Sequence, residues 1–127
     1  MDLPLRAVIV ASLTVAFLSG CTGGQAPRPY TVATGGYVRR GRQVVIRYRC
    51  GSCHTIPGVP DAAGVFGPPL TSIARRSYIG GDFPNAPSTL AQWIMSPQSM
   101  KPKTAMPNLG LTQQQARDVT AFLETLQ

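Results

Sequence analysis

A chain of 127 residues with 12 Lys and Arg against 5 Asp and Glu carries a formal charge of +7. That length holds one domain, and 43% hydrophobic content with one Trp, four Tyr and four Phe excludes a wholly disordered chain. The few acids form no acid–base pair of the kind an enzyme needs, while the positive balance bears on partners and membranes rather than on fold.

Arg6 followed by the apolar run Ala7 to Leu18 and then small residues reads as a secretory signal, residues 1–20. The run has 12 residues, too few to cross a membrane comfortably. Leu18-Ser19-Gly20-Cys21 resembles the bacterial lipobox, which implies diacylglyceryl modification of Cys21 and cleavage before it. An ordinary cleaved signal and an uncleaved anchor are the alternatives. Two or more acyl chains exceed the threshold for stable membrane attachment. The expected location is therefore the periplasmic side of a membrane, and Thr22 rather than Asp after the Cys leans towards the outer membrane. Residues 21–36, rich in Gly, Pro and Thr without apolar period, read as a flexible tether to a domain spanning 37–127.

Val38 to Cys50 is expected to be the first helix, with Val44, Val45 and Tyr48 on one face, Gly41 and Ile46 beside it, and five Arg elsewhere. Gly41 inside a helix costs about 1 kcal/mol, which suggests close approach of another backbone. Directly after comes Cys50-Gly51-Ser52-Cys53-His54. Two thiols three residues apart and an adjoining imidazole meet the need of covalent c-type haem: two thioether bonds and one iron ligand. A thioredoxin-like pair would want a βαβ context. A zinc site would want four ligands, where the chain has one His and one further Cys. One covalent haem is the reading adopted.

Thr55 to Pro69, with four Pro and three Gly, cannot hold a regular element and reads as chain wrapped around the haem's His side. Gly67-Pro68-Pro69-Leu70 would bring a backbone carbonyl to the imidazole Nδ1–H. Leu70 to Tyr78 is a short amphipathic turn carrying Arg75 and Arg76. Asn85 to Ser96 reads as a helix with a Leu90, Trp93, Ile94 face, capped by Asn85 or Ser88 and stopped by Pro97. Pro97 to Gly110 is irregular. The last helix opens on a Thr112/Gln115 capping box with a Leu111/Ala116 staple, and buries Val119, Phe122, Leu123 and Leu126. No strand is expected. The domain reads as all-α, three to five short helices with Gly/Pro-rich loops.

With no second His, a thioether is the natural second iron ligand, and Met95, Met100 and Met106 are available. Met106 leads because Pro107 extends it and no helical period explains it; Met100 and an open sixth site are the alternatives. Residues 38–127 resemble a class I (mitochondrial-type) cytochrome c, in the bacterial lipid-anchored form associated with respiratory oxidases. The resemblance runs through Gly41, Cys50-x-x-Cys53-His54, Gly67-Pro68-Pro69-Leu70, Trp93 before Pro97, Lys103-Thr104-Ala105-Met106-Pro107, and Phe122 with Leu123. It implies thioethers at Cys50 and Cys53, axial His54 and Met106, and a Pro68 carbonyl orienting His54. It also implies Trp93 under the Met-side haem face, and Thr104 with Arg75 or Arg76 on the propionates. Gly41 would let the first helix cross the last against Phe122. No Trp lies between Leu70 and Leu90, where mitochondrial forms place one at a propionate.

The function implied is one-electron transfer from an upstream respiratory donor to an acidic partner such as a terminal oxidase domain. A fixed haem relay within a dehydrogenase or oxidase complex is the alternative, and a haem enzyme or gas sensor with an open sixth site a more distant one. Export argues against nucleic acid as the target of the basic surface. Arg47, Arg49, Lys101 and Lys103 are expected around the exposed haem edge, steering encounter with acidic surface.

Overall fold

The computed structural model describes residues 30–31 and 33–127. The expected signal segment, Cys21 and most of the tether lie outside these residues. Strand β1, Tyr30–Thr31, pairs antiparallel with β2, Gly36–Tyr37. The domain therefore begins earlier than residue 37: Thr34 and Gly36 are buried, and a Cβ on Gly36 would strike the Arg117–Asp118 backbone.

Helix α1, Val38–Arg47, buries Gly41, Val44 and Val45, and leaves Ile46 41% exposed, outside the apolar face. It stops short of the expected Cys50. Tyr48 and Arg49 close its last turn onto Val44 and Ile46, and Arg49 then adopts a left-handed backbone, φ 54°. That reversal starts a separate 3₁₀ turn, Cys50–Ser52. A second such turn spans Ile73–Arg75.

Strands β3, Tyr78–Ile79, and β4, Phe83–Pro84, form a second antiparallel ribbon. No strand was expected here, yet the Gly80-Gly81-Asp82 link supplies the turn: both glycines have positive φ, 57° and 93°. Helix α2, Pro87–Met95, is one to two residues shorter at each end than the periodicity suggests. Its N-cap is Ala86 without a side-chain bond; Asn85 instead donates to the carbonyls of Ile73 and Arg76, at 2.8 and 2.9 Å. Pro97 ends α2 but also opens a short helix, α3, Pro97–Met100, in a stretch expected to be irregular.

Helix α4, Gln113–Leu123, carries the expected capping box: the Gln115 N–H donates to Thr112 Oγ1 at 3.2 Å, and the Thr112 N–H donates to Gln115 Oε1 at 2.9 Å. Such a cap contributes about 1 kcal/mol. Leu111 and Ala116 are both buried, as a staple requires. Four α-helices and two minimal ribbons make the described chain helical in class. None of the described helices is long and apolar enough to cross a membrane.

The frame is the crossing of α1 on α4. A Cβ on Gly41 would run into the Asp118 carbonyl and approach Phe122 Cβ to 2.9 Å, so the two backbones meet where only glycine fits. Beside the crossing lies Asp118, 4% exposed and fully partnered. Its carboxylate accepts from the Tyr37 N–H at 2.8 Å and Gln114 Nε2 at 3.0 Å, and pairs with Arg40 at 3.0 Å. Arg40 in turn lies 4.0 Å over the Tyr37 ring. A buried carboxylate left without its Arg would be strongly destabilising, so this cluster fixes the N-terminal ribbon to α4.

Candidate functional site

The Cys50–Ser52 turn is held from both sides. Cys53 and His54 N–H groups donate to the Cys50 carbonyl at 3.2 and 3.1 Å, and Ser52 Oγ donates to the Arg49 carbonyl at 2.8 Å. Gly51 packs on Ala62, where a Cβ would come within 2.5 Å of the Ala62 Cβ. The long Gly/Pro segment is irregular but tied down. Ile56 donates to Ala62, Gly64 to Gly51 and Gly67 to Cys53, at 3.0, 3.0 and 2.7 Å. Arg42 on α1 also donates twice to the Gly58 carbonyl, at 2.8 and 2.6 Å. Nothing in the sequence signals the Arg42 clamp.

These bonds bring Pro68 to His54, whose Nδ1 lies 2.7 Å from the Pro68 carbonyl. A carbonyl oxygen can only accept, so Nδ1 carries a proton, which in the neutral ring leaves the lone pair on Nε2. Gly67 lies against the ring; a Cβ there would be 2.7 Å from Nδ1 and 3.0 Å from Nε2. Cys50 and Cys53 form no disulfide with each other, and both are partly buried. Burial pushes the Cys50 thiol up, opposed by a backbone hydrogen bond and slightly reinforced by Cys53.

Both cysteines, His54, Pro68, Arg76, Trp93, Thr104 and Met106 line one cavity of about 620 Å³. Much of its wall is also the core: Val45, Ile73, Leu90, Ile94, Val119 and Leu123 belong to both. Met100 packs on the core and Met95 lies elsewhere; neither is on this wall. Arg75 is exposed and off the wall, whereas Arg76 is on it, its guanidinium donating to the Pro69 carbonyl. Thr104 Oγ1 accepts from the Met106 N–H at 3.3 Å. Trp93 stacks obliquely on Phe83, centroids 5.7 Å apart, with Gly80 close against its ring.

The β3–β4 ribbon adds Tyr78, Ile79, Gly80 and Gly81 to the wall, residues the sequence reading passed over. Its signal was present in the Gly-Gly-Asp between two short apolar pairs. Lys101 differs from expectation as well. Its Nζ donates to the Gly80 carbonyl at 2.9 Å and pairs with Asp82 at 2.8 Å. That locally balances one of the four charges expected around the haem edge. Tyr48, on the wall, donates to Gln115 Oε1 at 3.3 Å, joining the site to the α4 cap. Among the described residues, no group of three or more His, Cys, Asp or Glu side chains is arranged to hold a metal ion by itself.

Two cysteine side chains and an oriented imidazole on one turn, beside an apolar cavity, define a site built to enclose a covalently attached group. The chain belongs to the cytochrome c family, whose model matches residues 38–127, and is a class I c-type cytochrome. Among curated proteins it is similar to cytochrome c oxidase subunit 2 of Alkalihalophilus pseudofirmus, 33% identical over 88 residues. That match covers 68% of this chain and 25% of the relative, so the chain spans about a quarter of the length of that protein. Family membership implies covalently bound haem c and supports a haem-based electron carrier. The residues fit that group: the apolar cavity is of ligand-site size, the thiols line it, and His54 retains a free Nε2.

Proposed function

We propose that this protein is a one-electron carrier, with one haem attached through Cys50 and Cys53, His54 and Met106 as axial ligands, and a respiratory complex outside the cytoplasm as its acceptor. The carrying observation is that His54, both thiols and Met106 line one largely apolar cavity, with the imidazole tautomer set by Pro68. A haem held there would supply reversible one-electron chemistry, taking up an electron as Fe(III) becomes Fe(II) and releasing it in the reverse step. The chain's own part is to hold still. The Pro68 carbonyl holds the Nδ1 proton and so fixes the orientation of the His54 ring, and the apolar wall keeps water from the buried part of the cavity. Arg76 and Thr104 stand on the wall where propionates could find donors; Arg75 does not.

The ligand assignment is tested by paired substitutions. Met106→Ala is expected to abolish the weak red iron–sulfur band of the oxidised protein and lower its midpoint potential, while Met100→Ala changes neither. The reverse pattern would transfer the ligand role to Met100. Acid–acetone extraction should leave haem on the polypeptide, and release of it would rule out thioether attachment.

A second reading, a fixed relay within an oxidase, draws on the resemblance to an oxidase subunit, in which the matched region is a quarter of the chain. It requires the purified oxidase to retain this protein stoichiometrically. Export and lipid attachment at Cys21 belong to the carrier proposal. Cys21→Ser should move the holo-protein from the membrane fraction to the soluble one or leave it uncleaved, and a wild-type protein already soluble and unlipidated would end that part of it.

A further inference from the structure

We propose that Val65 and Phe66 form an apolar docking knob that seats this domain on a redox partner protein presenting an apolar socket within an acidic rim; this rests on the carrier reading above. They are the most exposed of the large hydrophobic residues among those described, Val65 at 90% and Phe66 at 83%. Their exposure is built in. On one side the Gly64 N–H donates to the Gly51 carbonyl at 3.0 Å, and Thr55 Oγ1 donates to the Gly64 carbonyl at 3.1 Å. On the other the Gly67 N–H donates to the Cys53 carbonyl at 2.7 Å.

Both flanking glycines are pressed onto the haem-attachment turn, where a Cβ on Gly64 would meet the Cys53 backbone at 2.6 Å and one on Gly67 the His54 ring. The two residues between them are thus fixed in place and turned outward. A backbone already held for binding need not be ordered when the partner arrives, which lowers the cost of docking on so small a patch. Phe66 also lines the cavity. A partner covering it therefore rests against the wall that encloses the redox site, where short transfer distance is needed.

Charge selects the occupant. Arg49 lies on the same wall and is exposed, Lys103 is exposed two residues beyond Lys101, and the chain as a whole is +7. A second copy would bring like charge onto like charge, which is costly across an interface. A lipid surface laid over Phe66 would cover the wall through which the electron must leave.

The experiment uses full-length holo-protein carrying Cys21→Ser, and as probe the terminal oxidase purified from the organism's own membranes. Phe66→Ser and Val65→Ser are expected to raise KM, and to weaken binding measured by surface plasmon resonance, by roughly tenfold for Phe66 and less for Val65. Phe66→Leu should restore most of the loss. Val65→Ser, whose side chain is off the cavity wall, should leave spectrum and midpoint potential where they were. A protein oxidised normally, with KM and binding unmoved by either Ser variant, overturns the proposal alone. A wild-type protein that the oxidase does not oxidise overturns the reading beneath it. A dimer in sedimentation equilibrium that Phe66→Ser dissolves would overturn it in favour of self-association. Phe66-dependent binding to phosphatidylglycerol vesicles would do so in favour of a lipid surface.

Discussion

Alanine at Gly41 is expected to lower the thermal midpoint of the haem-loaded protein by more than ten degrees. Helix propensity alone predicts the opposite, since Ala is favoured over Gly in a helix by about 1 kcal/mol. Against that stands the crossing itself. The new Cβ would overlap the Asp118 carbonyl, coming within 2.5 Å of its carbon and 2.9 Å of Phe122 Cβ. Neither partner is the free end of a flexible chain, so α1 and α4 must separate. Overpacking of this kind costs about 1–3 kcal/mol and occasionally more, and separation also strains the bonds to Asp118. With the Asp118 bonds strained as well, a gross cost of about 4 kcal/mol less the propensity gain of about 1 leaves a net loss of about 3 kcal/mol, or roughly 12–24 °C in a domain of this size. Circular dichroism melts of the purified variant decide the matter. An unchanged or higher midpoint would mean that the helices can part without penalty.

Alanine at Gly67 should instead spare the helices and disable His54 as the proposed iron ligand. Gly67 has no positive φ, so backbone conformation is not at issue. The added methyl would sit 2.7 Å from Nδ1 of His54, in the place the ring now occupies. The ring must turn away, breaking its bond to Pro68. Losing the outer partner of a metal-bound His costs about 10–100-fold in metal affinity. The expected signs are high-spin features in the oxidised spectrum and fewer haem-loaded chains per polypeptide made. A wild-type spectrum at full yield would show that the ring has another stable seat.

What the sequence disclosed well was local. Cys50 to His54 is a single turn, Thr112 and Gln115 face each other across one, and Val119, Phe122 and Leu123 share a buried stripe on one helix, although Leu126, expected to extend it, lies past the helix end and is only partly buried. Each can be read from spacing because its partners are neighbours in the chain. Gly41 was legible for a different reason: glycine in an otherwise helical run has a cost that only close packing offsets. The misreadings share the opposite cause. Helix α1 ends at Arg47 because Arg49 turns left-handed to start the Cys50 turn, a choice that no side-chain periodicity encodes.

The Asp118 cluster joins residues 81 and 78 positions apart, and Lys101 reaches back 19 to Asp82. Their charges looked like solvated surface because their partners could not be seen. Arg75 and Arg76 were equivalent by sequence. A 3₁₀ turn that ends between them leaves Arg76 on the wall and Arg75 off it. The two-residue strands were missed because so short a pairing is held by what packs on it, here Trp93 beneath Gly80.

The β1–β2 ribbon is where the chain preceding residue 30 enters the domain, and this fixes how mechanical load would travel. Gly36 rests on the Arg117–Asp118 backbone and the Tyr37 N–H is gripped by Asp118, itself braced by Arg40. On an ideal helix Asp118 stands about 100° around the axis from Val119 and about 140° from Leu123, the α4 residues on the cavity wall. Tension arriving from the N-terminal side is thus borne as shear between the ribbon and α4. Those four residues, Gly36, Tyr37, Arg40 and Asp118, would meet a pull from that end first.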